Sequence, residues 1–361
     1  MKLVLCLDCP IEKRRTMTNK LCITFLLIFP MLFISCGKLT RENAEIVSTF
    51  SFEKANRQNS YQTAGVYKDE IYYVRSSGDH YALCFLSPEG TLLRSFQVPR
   101  GNGPGEARHT MGVRVIGGKV YWVDLALSRL TVFSLDGEYI DQINFDEETG
   151  LMAAFDVAEG LLYFHSLNKT YIGVIDLATG KLLQSIPHPI QGVPEPGDKV
   201  PGGILRIDPY TGNILIGRVC RPFLIEIWSP ELEKIGELSY PLEKEYNDLT
   251  YLPNINIQGD MLIGSLITTE SAIYVPHITI RYEVKGNSGE APAYPLEVIA
   301  LDRQSHKPRV YSLDSVSPAK GFFYLLGFLE GNLAVMHHGT SDIENEKAPW
   351  TFNGYILDIL R

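Results

Sequence analysis

The sequence predicts an all-β chain, a six-bladed β-propeller of four-stranded antiparallel blades. Three observations predict it. Short apolar runs recur six times, each entered through a turn; a second hairpin follows each; and apolar spacing is near two almost throughout, the period of a strand. Aligned on the first apolar residue after each turn, the copies begin at Ile71, Val120, Leu161, Ile214, Met261 and Leu333, at intervals of 49, 41, 53, 47 and 72 residues. Spacings of that size suit one blade per repeat.

The first hairpin of each copy follows from its turn. Gly118-Lys119, Gly212-Asn213, Gly259-Asp260 and Gly331-Asn332 place glycine and a polar residue ahead of the run. Glycine supplies the positive φ of a tight hairpin. Gly160 stands one residue later in its copy, and the first copy has Asp69-Glu70 with no glycine. The second hairpins begin at Phe85, Val132, Val174, Ile227, Val298 and Tyr355, where β-branched and aromatic residues are closed by Asp, Pro or Gly. Two hairpins make four strands, which is one blade. The sixth copy ends after its third strand, whereas Ile46 to Phe52 is a strand-like run with no partner nearby. Pairing the two closes the ring with an N-terminal strand and removes two exposed edges. Only Leu242 to Leu249 is spaced for a short helix.

At the N-terminus, Leu21 to Ile34 is an apolar run broken only by Thr24 and Pro30, with Lys20 before it and Ser35-Cys36-Gly37 after it. It is short for a bilayer span and suits the core of a signal peptide, the competing reading being an uncleaved anchor. A small residue followed by Cys36 looks like a lipobox, although Phe33 stands where Leu is usual. The expected organisation is a signal peptide over 1–35, a lipidated tether over 36–45 and a propeller over 46–361. Met17 begins a signal of better shape than Met1, so Cys6 and Cys9 are not read as a redox motif. The chain is then an outer-membrane lipoprotein of the cell envelope, held by its lipid alone.

The formal charge is −9; the first 35 residues carry five basic and two acidic side chains, so the remainder stands at −12. An acidic body without a Lys/Arg cluster argues against nucleic acid. With Cys36 lipidated, Cys84 and Cys220 could make at most one disulfide, and isolated cysteines in apolar strands read as buried thiols. A monomeric domain is expected.

Tyr121-Trp122-Val123-Asp124, then Ser128 to Phe133, then Asp136-Gly137 resembles an NHL-type propeller repeat; the other copies keep the spacing and lose the Asp and Arg. Arg100-Gly101-Asn102-Gly103-Pro104-Gly105-Glu106 resembles a loop of six-bladed propeller lipoproteins from Gram-negative bacteria, with NHL-like or TolB-like repeats. The resemblance implies the fold and the location. It implies no activity, because that family has none in common.

No Gly-x-Ser-x-Gly, His-Glu-x-x-His or Cys-His arrangement occurs. Gly101 to Glu106 lacks the Gly-Lys-Ser/Thr ending and the helix of a phosphate loop, so it reads as a tight inter-blade connection. Nearly all long segments fall on one face: Arg100 to His109, Pro187 to Gly203, Pro241 to Pro253, Thr268 to Pro295 and Gly339 to Pro349. Ile273 to Pro295 reads as an extra hairpin over the channel. Long loops on one end of a rigid scaffold mark its working face.

Four places after each alignment point stand Arg75, Asp124, His165, Arg218, Ser265 and His337, all polar. As a ring they suit an anionic or hydroxylated ligand. The plainer reading is that each ends its strand by bonding loop backbone. Asp124, His165 and His337, with His338 and Glu106 near, could instead hold Ca²⁺ or Zn²⁺. One carboxylate beside two arginines suits a hard cation poorly, so no cofactor is expected. The leading expectation is a binding or scaffolding module for a protein or saccharide; the alternative is a metal-assisted propeller hydrolase or lyase with its site at the channel mouth.

Overall fold

A computed structural model describes residues 40–54, 63–166, 168–189, 203–218, 224–239, 258–261, 266–281, 297–313, 323–338 and 350–359. The described chain opens with β1 (Thr40–Asn43) and β2 (Glu45–Lys54). Blade 1 follows as β3 (Ala64–Tyr67), β4 (Glu70–Ser76), β5 (His80–Leu86) and β6 (Leu92–Pro99). Blade 2 is β7 (Thr110–Ile116), β8 (Lys119–Asp124), β9 (Arg129–Ser134) and β10 (Tyr139–Asn144). Blade 3 is β11 (Met152–Ala158), β12 (Leu161–Ser166), β13 (Thr170–Asp176) and β14 (Leu182–Pro187). Blade 4 is β15 (Gly203–Ile207), β16 (Ile214–Arg218), β17 (Leu224–Trp228) and β18 (Lys234–Ser239).

After β19 (Gln258–Met261), blade 5 comprises β20 (Ile267–Thr268), β21 (Ala272–Arg281), β22 (Glu297–Asp302) and β23 (Pro308–Ser312). Blade 6 comprises β24 (Phe323–Leu329), β25 (Asn332–His338) and β26 (Trp350–Asp358), with β2 as the fourth strand of its sheet. Within blades 1 to 5 the four blade strands are antiparallel neighbours in sequence order, as are β24, β25 and β26 of blade 6, so the chain is the six-bladed propeller the repeats predict.

Burial follows from that stacking. The third strands β5, β9 and β13 are buried on both faces, because each sheet lies between two others, whereas the fourth strands β6, β10 and β14 are largely exposed. The core is accordingly a set of apolar seams between blades. Tyr81, Phe85, Trp122 and Phe133 fill the seam of blades 1 and 2, and Phe155, Phe164, Leu130 and Val123 that of blades 2 and 3. Blades 5, 6 and 1 share one continuous seam through Tyr274, Leu333 and Tyr73. Cys84 lies in it as a free thiol, and burial pushes its pKa up.

Blade 5 departs from the expected register. Met261 begins no second strand: it ends β19, which pairs with the far part of β21 through Met261↔Ile278. The first hairpin of this blade is β20–β21, turning at Thr269-Glu270-Ser271. The Thr269 hydroxyl accepts the Ala272 N–H at 3.0 Å, so a threonine makes the turn without glycine. The repeat therefore starts at Ile273, and β21 is a blade strand, paired with β22 from Ala272 to His277 and with β19 from Ile278 to Arg281, rather than the first arm of an extra hairpin over the channel.

The N-terminal residues also do more than expected. Thr40 to Asn43, assigned to the tether by sequence, run parallel to β23 along the outer edge of blade 5. Cys36, Cys220 and the stretch Leu242 to Leu249 lie outside the described residues.

Candidate functional site

The six ring positions fare differently. Arg75, Asp124, His165, Arg218 and His337 all lie at or next to the last residue of the second strand of their blades, the same end in each case. Arg75 is exposed. The side chains of Arg218 and His337, and all of Ser265, lie outside the described residues. In blade 5, four places after Ile273 stands His277, whose backbone pairs with Glu297.

Asp124 is buried and accepts three main-chain N–H groups: from Arg108, from His109 at 3.1 Å and from Leu127 at 3.1 Å. His165 is fully buried, its Nδ1 2.6 Å from the Tyr171 carbonyl and its ring edge-on to Tyr171 at 5.3 Å. It sits in the seam between blades 3 and 4. There the Tyr171 hydroxyl donates to Glu226 at 2.7 Å and the Trp228 indole donates to the same oxygen at 3.0 Å.

The glycine-rich loop is filled by its own glutamate. Glu106 Oε2 accepts the Gly103 N–H at 2.7 Å, and a Cβ at Gly101 would collide with that carboxylate. Arg129 holds the loop from below, donating to the carbonyls of Asn102 at 3.0 Å, Gly103 at 2.9 Å and Glu106 at 2.5 Å. The Asp and Arg of the cleanest repeat thus both secure the crossover from blade 1 to blade 2.

A second polar centre lies in the channel, among residues the sequence did not single out. Arg114 on β7, Asp156 on β11 and Arg206 on β15 come from the innermost strands of three blades. Arg114 and Asp156 are buried, with Arg114 Nε 4.0 Å from Asp156 Oδ1. Asp156 accepts the N–H of Val157 and of Ile207, each at 3.0 Å, and Arg206 Nε donates to the Leu266 carbonyl at 3.1 Å.

Burial, and then the Arg114 charge, hold the Arg206 guanidinium down to about 10; Asp156 and the Tyr72 phenol pull the other way. First strands line the axis of a propeller, so side chains contributed by three of them mark this as the channel centre. The three side chains project within four residues of the short turns Gly117-Gly118, Glu159-Gly160 and 208–213. The centre therefore lies nearer the short-turn end than the ring does.

Among the described residues no group of three or more His, Cys, Asp and Glu side chains could hold a metal ion. A cleft of about 510 Å³ opens at the short-turn end of blades 1 and 2, lined by Lys68, Asp69, Glu70, Arg94 and Asp136 among others. Its charges are mixed, and Arg94 is engaged with Glu70 at 2.5 Å.

No protein-family model and no curated protein matches the sequence. The fold has solved counterparts. A member of the DUF4221 family from Bacteroides vulgatus is similar at TM-score 0.62 with 12% identity, over 88% of this chain and 98% of that one. A protein from Bacteroides fragilis described as exported is similar at TM-score 0.52 with 10% identity, over 88% of this chain and 99% of that one. Both likenesses are likenesses of fold. A virginiamycin B lyase from Staphylococcus aureus is more distant, at TM-score 0.49 with 10% identity over 86% of this chain and 99% of that one, and nothing is carried over from it.

Proposed function

We propose that this chain is an exported propeller lipoprotein, anchored in the outer membrane through Cys36, that binds a protein or saccharide partner on its long-loop face. The reading rests on the unequal connections at the two ends of the ring. Turns from first to second strand in all six blades, and from third to fourth strand in blades 1 to 5, take two to six residues. The opposite end carries the long segments from Pro187 to Gly203, Arg281 to Glu297 and His338 to Trp350. A rigid ring with long loops at one end is how scaffolds commonly present recognition surfaces.

The lipobox-like Ser35-Cys36 and the exported Bacteroides fragilis counterpart support the envelope location. In the same reading β2 is the strand that locks the ring, supported by its ladder with β26 from Glu45↔Asp358 to Lys54↔Trp350.

Photo-crosslinking residues placed singly at exposed positions on the two ends test the binding face. Arg75 and Glu147 should give partner adducts in cells, and Glu89 and Gln304 none. Adducts only from Glu89 and Gln304, or equal yields from both ends, would sink the reading. Cys36→Ser should release the protein from membranes. A thermal midpoint raised by Ca²⁺ or Zn²⁺ over EDTA would instead favour the metal-assisted hydrolase or lyase.

A further inference from the structure

We infer that the channel centre is a binding site for a small oxyanion, held between Arg114 and Arg206 beside Asp156. Among the described residues the site carries two guanidinium groups against one carboxylate. Both oxygens of that carboxylate already accept main-chain N–H groups. Its nearest approach to Arg114 is 4.0 Å, the outer limit of an ion pair. Arg114 Nε and Nη2 and Arg206 Nη1 are buried with no acceptor among the described residues.

The same protein shows what a fully paired, half-buried arginine looks like. Arg303 forks onto Asp208 with Nη1 at 2.6 Å and Nη2 at 2.8 Å, and its Nε donates to the Thr269 carbonyl at 2.8 Å. Among the described residues Arg114 and Arg206 have no such carboxylate fork, although Arg114 is as buried as any arginine described here, at 4% exposure.

Burying two like charges against a single counter-charge is costly. Water can accept these N–H groups but leaves the surplus positive charge in place. An anion meets both needs, and the planar guanidinium forks suit the several oxygens of phosphate, sulfate or a carboxylate. A cation is disfavoured by the same balance. The site is separate from the long-loop face, so this inference does not depend on the partner-binding reading.

Inorganic phosphate is the probe, titrated into the purified protein against sodium chloride at equal ionic strength, with the thermal midpoint as readout. Phosphate should raise the midpoint saturably and chloride should not. Arg206→Gln should weaken phosphate at least tenfold. Asp156→Asn, which removes the competing negative charge, should keep or tighten it, and serves if the arginine variant fails to fold. Arg75→Gln, on the other face, should leave phosphate binding unchanged.

No saturable response to phosphate, an equal response to chloride, an unchanged affinity in a folded Arg206→Gln, or loss of binding in folded Asp156→Asn would each overturn the inference.

Discussion

At the junction of blades 1 and 2, on the long-loop end, and at the junction of blades 4 and 5, on the short-turn end, an aspartate and an arginine do the joining by different chemistry. At the first, Asp124 and Arg129 work on main chain: three N–H groups go to the aspartate and three carbonyls accept from the arginine. At the second, Asp208 and Arg303 meet each other directly, with Asp208 almost wholly buried. The first spreads its bonds over the main chain of a whole loop. The second concentrates them in one charge pair whose halves belong to different blades. The loop is secured without being joined to a single partner, whereas the blade seam depends on two side chains being present together.

Breaking the charge pair should have the largest effect. Arg303→Ala leaves Asp208 buried and uncompensated, and should cost about 3–5 kcal/mol in chemical denaturation. The double variant with Asp208→Ala should recover much of that loss, and additive losses would show that the pair is not coupled. Burial raises the Asp208 pKa, but Arg303, Thr211 and the Tyr210 N–H outweigh it, and the net shift is downward. A carboxylate with a depressed folded pKa adds stability that is present above its unfolded value of about 3.9 and is lost as pH falls through the folded value. Urea midpoints between pH 6 and pH 2 should therefore fall more steeply in the parent than in Asp208→Asn.

Next in size is Asp124→Ala, which strands three N–H groups and should cost about 2–3 kcal/mol, with Asp124→Asn milder because one acceptor oxygen stays. Faster hydrogen exchange at Arg108, His109 and Leu127 should accompany it; unchanged exchange there would mean that the loop does not rely on the aspartate.

Smaller again is Arg129→Lys, which keeps the charge but loses the fork, at about 1–2 kcal/mol by thermal melting. Arg75→Ala, an exposed change at the ring position of blade 1, should stay within about 0.5 kcal/mol. A larger loss would show that this ring position is structural, like Asp124 and His165.

The same two regions show what could be read from sequence and what could not. Blade 2 was legible because its Asp, Arg and Gly stand at fixed offsets, each with one local job. Blade 5 was not, because Gly259-Asp260-Met261 mimics the turn signature while the actual turn is made by a threonine hydroxyl at Thr269. That shift moved the fifth ring position from His277 to Ser265.

His165 shows a second limit, since a polar residue ending a strand looks the same in sequence whether it faces a channel or a seam. The channel centre left no trace for a related reason. Arg114 faces Tyr121 and Asp156 faces Tyr163, different steps of their hairpins, and Arg206 belongs to a third repeat. Each alone looks like an ordinary solvent-side residue of an alternating strand; only the curvature of the ring brings them together.

The ladder between β2 and β26 joins Glu45 to Asp358, 313 residues further on. A ribosome adding about 5–20 residues per second makes the first of these strands on the order of tens of seconds before the second exists. Through that interval the early blades can form one by one from local hairpins, while β2 waits as a bare edge able to pair with the wrong chain. Its sequence begins with Glu45 and ends with Glu53-Lys54, charges of the kind that discourage such pairing. With β2 as the proposed lock of the ring, the last strand made, not the first, would end that exposure.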